Sequence, residues 1–124
     1  MKIKQVFIRP NTEISKRIAE WTELYGVVCT EISLEEDFEE NIDGLVIFKQ
    51  NQDMDKDMSD IRTLFDNRLK PVLHVDINGT LMVGVSNFSL WLERNGCTNI
   101  LVIGNDGLLE NPNLDRYLSH MKVD

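Results

Sequence analysis

The chain has 124 residues, 42% of them hydrophobic, which suffices for one domain with its own core. Its 21 acidic side chains outnumber 13 basic ones, giving a formal net charge of −8. Such a surface repels a phosphate backbone and so excludes nucleic-acid binding, while no apolar run is long enough to span a membrane.

The first strand, Ile3–Ile8, leads to Arg9-Pro10-Asn11-Thr12. Ile14, Ile18, Trp21 and Tyr25 then recur at helical spacing, with Lys16, Arg17, Glu20 and Glu23 on the opposite face. Gly26 is placed to end that helix in a left-handed cap, and a second strand, Val27–Ile32, follows at once. Ser33 and Glu36 match a capping box, so a short helix from Leu34 to about Asn41 is expected. It would bury Leu34, Phe38 and Ile42 and turn Glu35, Glu36, Asp37, Glu39 and Glu40 to solvent. That acidic face is the candidate docking surface for a basic protein partner.

Leu45–Lys49 is a continuous apolar run, typical of a central strand covered on both faces. Met54, Met58, Ile61, Leu64 or Phe65, and Leu69 mark a long amphipathic helix, closed by Pro71 because the residue before proline avoids helical geometry. A fourth strand covers Val72–Ile77. Asn78-Gly79 is a strong hairpin signal, and Leu81, Val83 and Val85 continue the alternation beyond it. Residues 80–85 are therefore expected to form an antiparallel hairpin strand, with a loop over the top of the sheet as the alternative.

Ser86 or Asn87 would cap the next helix, which buries Phe88, Trp91 and Leu92 and stops at Asn95-Gly96. A fifth strand, Asn99–Ile103, precedes the turn Gly104-Asn105-Asp106-Gly107. Asn111 and Pro112 open a last helix with Leu114, Tyr117, Leu118 and Met121 inward. Strands alternating with amphipathic helices predict a single α/β domain over 1–124. The expected form is a three-layer αβα sandwich around a mainly parallel, flavodoxin-like sheet of five strands.

In open α/β sheets, ligands collect at the carboxyl ends of the strands. Those ends present the candidate ligand-binding residues: Arg9, Asn11, Thr12, Lys49, Asn51, Asp76, Asn105 and Asp106. Arg9, Lys49 and the nearby helix N-termini suit an anion. No specific chemistry is spelled out. A dinucleotide or Walker glycine loop is absent, and Gly84-Val85-Ser86-Asn87-Phe88 puts a ring where a nucleophile elbow needs glycine. Asp53, Asp55 and Asp57 imitate a calcium loop, but Met58 and Leu64 stand where its glycine and glutamate belong. No metal ligand set and no catalytic residue is assigned, and the cofactor is unknown. His74 and Asp76, two apart on one strand, permit a proton-transfer pair, with a hydrogen-bonded, half-buried histidine as the plainer alternative. Cys29 and Cys97 form no C-x-x-C pair and are expected to be reduced thiols. With Met1-Lys2-Ile3-Lys4-Gln5 running into a strand, they point to a cytoplasmic location.

The order of elements resembles flavodoxins and receiver domains. The flavodoxin phosphate loop is replaced here by Arg9-Pro10-Asn11-Thr12, and the receiver's acidic and phosphorylated positions by Arg9 and Lys49, which removes phosphotransfer. The stretch 6–76 is also similar to TIR-like and nucleoside-deoxyribosyltransferase-like domains, through Gly26-Val27 and Pro71-Val72. Glu13, Glu20 and Glu23 match no catalytic position of those families. The reading is thus a small, non-catalytic module that binds or regulates a protein partner, with a homodimer through the 80–85 edge as one form. The alternative is a small enzyme or sensor for a nucleotide-like or other anionic metabolite.

Overall fold

The computed structural model of the chain describes residues 3–33 and 38–123. Five strands, β1 (Gln5–Ile8), β2 (Val28–Glu31), β3 (Gly44–Lys49), β4 (Val72–Asp76) and β5 (Asn99–Ile103), form one sheet. Every pairing is parallel, and the spatial order is β2-β1-β5-β3-β4. The expected α/β sandwich with a parallel sheet is observed. Within it, β5 lies between β1 and β3, whereas flavodoxin itself places its third strand beside the first.

Side-chain alternation in the strands feeds two cores. Val6, Ile8, Val46, Phe48, Val75, Ile100 and Val102 point to one face, where they meet α1 (Glu13–Leu24), α3 (Leu81–Asn95) and α4 (Asn113–His120). Leu45, Ile47, Leu101 and Ile103 point to the other, against Met58, Ile61 and Phe65 of α2 (Lys56–Asn67). β3 is buried at every residue, as its unbroken apolar run requires. Gly26 and Gly96 take left-handed φ of 68° and 61° at the ends of α1 and α3. Among the described residues no helix is long and apolar enough to cross a membrane.

Residues 80–85 are neither hairpin strand nor loop. Thr80 is the N-cap of α3, so the helix starts well before Ser86. Asn78-Gly79 turns a strand into a helix rather than into a second strand. Leu81, Val85, Phe88 and Leu92 follow one another at steps of four, three and four, and this helical stripe packs on the core. It outweighs the short period-two pattern of Leu81, Val83 and Val85. Gly84 lets α4 approach closely: a Cβ there would lie 2.5 Å from a ring carbon of Tyr117. The Tyr117 hydroxyl donates to the Gly79 carbonyl at 3.0 Å. A strand edge at 80–85 does not exist, and the dimer route through it lapses.

The expected helix over 34–41 also differs. Leu34, Glu35, Glu36 and Asp37, with the capping box, lie outside the described residues, and Phe38–Asn41 forms a single 3-10 turn. Glu39, expected in solvent, is 3% exposed. Its carboxylate sits 3.3 Å from Arg68, and Lys70 donates to the Glu39 and Ile42 carbonyls. A buried acid needs such a partner. The solvated acidic face therefore loses one of its members.

Candidate ligand-binding site

The carboxyl ends of β1, β5, β3 and β4 form one edge of the sheet, and the loops above it fall into two parts. Over β3, β4 and β5 the loops are stitched together by amides. Asn78 donates to Asn51 at 3.2 Å and accepts from Asn111 and Asn113 at 2.9 and 3.1 Å. Asn111 also donates to Gln50 at 3.0 Å, and Asn105 donates to Asp53 at 3.2 Å. Asn51 and Gln52 take left-handed φ of 51° and 67°, a conformation that asparagine tolerates better than glutamine. Asp76 accepts from the Asn78 backbone N–H and borders a small cavity of about 160 Å³ between β4 and α3.

Lys49 is buried beneath this mesh at 7% exposure. Its ammonium donates to Gln52 at 2.8 Å and lies 3.2 Å from His74 Nδ1. A lysine offers only donors, so Nδ1 must accept and the ring proton belongs on Nε2. Partial burial of the imidazole, then Lys49 and Arg62, pulls the His74 pKa below its ordinary value, with Asp66 opposing them. His74 therefore serves Lys49 as a neutral acceptor. The pair envisaged with Asp76 is not made.

Above β1 the edge is open. Arg9 is 7% exposed, although it is a cation at the mouth of the sheet. One Nη donates to the Gly104 carbonyl at 2.6 Å, and the other stands 3.8 Å from Asp55, beyond hydrogen-bond length. Among the described residues its Nε has no hydrogen-bond partner. A guanidinium carries five N–H donors, and most of these are unused. Two cavities meet this side chain. One, of about 440 Å³, is bordered by Arg9, Asn11, Thr12, Glu13, Lys16 and Glu31, among others. The other, of about 260 Å³, is enclosed by Arg9, Pro10, Thr12, Asp57, Asp60 and Ile61.

Of the residues singled out in the sequence, Arg9, Asn11 and Thr12 come together on these cavities. Lys49, Asn51, Asp76, Asn105 and Asp106 do not border them. Asp106 instead accepts from the Ile14 N–H at the start of α1, and Asp55 accepts from the Met58 N–H at the start of α2. Both helix N-termini thus hold an anion that the chain supplies itself. In the sequence Asp57 stands out only as part of an imitated calcium loop and Ile61 only as a buried helix position, and neither they nor Asp60 are among the candidate ligand-binding residues. Their i, i+3 and i, i+4 spacing was the available signal for a shared face.

Among the described residues no group of three or more His, Cys, Asp or Glu is placed to hold a metal. The thiols are poor nucleophiles. Burial raises Cys97 to about 11, aided by Asp43, and also raises Cys29.

No protein-family model matches the chain, and no curated protein matches it in sequence. In three dimensions it is similar to the crystal structure of a "putative molybdenum carrier protein" from Syntrophus aciditrophicus SB. The TM-score is 0.71 at 9% sequence identity, over 96% of this chain and 92% of the other. That likeness shows the fold.

Proposed function

We propose that the chain is a non-catalytic module that binds a small ligand against Arg9 at the carboxyl end of β1. The observation that carries this reading is a buried arginine at the border of two cavities, whose Nε has no hydrogen-bond partner among the described residues. Buried polar groups in folded proteins are normally satisfied, and each exception calls for a reason. A ligand carboxylate or similar anionic group supplies one. The amides over β3–β5 bond largely to one another, which favours the β1 end as the place for a ligand. The name of the structural neighbour pairs a like fold with the carriage of small cargo.

The test is a thermal-shift screen of small anions and metabolites on the intact chain, repeated with Arg9→Gln. Ligand binding to the native state raises apparent stability. A stabilising compound whose effect vanishes in the variant is the expected result. A shift that survives Arg9→Gln unchanged would move the site elsewhere.

A second reading, self-association, has one specific support. Met82, Val83 and Leu90 on the outer side of α3 are 61%, 56% and 46% exposed. Sedimentation velocity over a concentration series decides it. A dimer abolished by Val83→Lys supports the reading, and a monomer at every concentration removes it.

A further inference from the structure

We infer that the smaller Arg9 cavity takes a small zwitterion, an α-amino acid with a short apolar side chain. This deepens the ligand-binding reading and rests on it. The cavity, at about 260 Å³, is below the ~300–1,000 Å³ typical of drug-sized ligands, so the occupant is small. Its walls carry charge of both signs, from two different elements. Arg9 offers unused donors to an anion from the β1 side. Asp57 and Asp60, one helical turn apart on α2, offer carboxylates from the other.

The balance of charge argues against a plain anion. Arg9 and Lys56 are opposed by Asp55, Asp57 and Asp60, so the surroundings are net negative. A phosphate or other multiply charged oxyanion reaching Arg9 would pass these carboxylates at a cost. A molecule with no net charge would not. Its carboxylate pairs with the guanidinium in the geometry that arginine favours. Its ammonium meets Asp57, which has no hydrogen-bond or ion-pair partner among the described residues, and the Asp60 oxygen not held by Lys56. Pro10 and Ile61 supply the apolar wall for the side chain.

Calorimetry on the intact chain with three probes tests this: L-valine, isovalerate, which lacks the ammonium, and isobutylamine, which lacks the carboxylate. A charge-assisted hydrogen bond implies that L-valine binds on the order of tenfold more tightly than either fragment. The Asp57→Asn, Asp60→Asn double variant should lose that margin, with weaker L-valine binding and isovalerate binding at least as tight as to the parent, since the carboxylates that oppose an anion are gone. Melting of the unliganded variant at the parental temperature would show that it folds. Isovalerate binding as tightly as L-valine overturns the zwitterion while leaving the Arg9 site standing. So does Arg9-dependent binding of inorganic phosphate with no response to L-valine. Silence of all three probes and of the wider screen removes both.

Discussion

Two ends of one sheet edge, built from the same kinds of loop, have opposite characters. Over β3, β4 and β5, asparagine and glutamine side chains satisfy each other. Over β1 a cation is buried with one Nη bonded to Gly104 and its Nε without a partner among the described residues, and space is left beside it. The same polar composition thus serves stability at one end and leaves recognition capacity at the other. A buried cation at the border of two cavities, rather than polarity as such, separates the two.

Substitutions should divide along the same line. The largest effect is expected at Gly84→Val, where the new side chain drives into Tyr117 and detaches the α3–α4 support of the stitched end. Overpacking of this kind should cost ~3 kcal/mol, read from the urea midpoint. Asn78→Ala removes the hub that links Asn51, Asn111 and Asn113, and about 1 kcal/mol is expected because these amides are partly exposed. Arg9→Gln should change stability by less than ~1 kcal/mol, since loss of a poorly paired buried charge offsets loss of its hydrogen bond. Its consequence belongs to binding. A large destabilisation by Arg9→Gln would erase the contrast.

The smallest effect concerns His74. Its pKa is held below the usual 6.5, so the unfolded chain takes up a proton more readily than the folded one. The sign is fixed by that inequality: stability is complete above 6.5 and declines as pH falls through it, towards the lower folded value. His74→Gln should flatten the slope of unfolding free energy between about pH 7 and about pH 5. An unchanged slope would mean that the His74 pKa is the same in the folded and unfolded chain.

Strands and the helices α1, α2 and α4 could be read from the chain because their periodicities are local. The run Leu81–Val85 misled because two periods fit it, and only the distant partner Tyr117 tells them apart. Glu39 was taken for a surface acid because Arg68 and Lys70, which make its burial tolerable, lie far along the chain. Arg9 could be picked as a candidate from its place after an apolar strand. Its meeting with Asp57 and Asp60 could not, since β1 and β3 become near neighbours only through a strand order that no local pattern encodes.

The position of β5 bears on how the molecule assembles. β1 with β2, and β3 with β4, can each zip together early, yet neither pair touches the other until Asn99–Ile103 slides between them. This joining strand is the last of the five along the chain. Chains truncated before residue 99 lack the strand that joins the two hydrophobic half-sheets and are expected to aggregate.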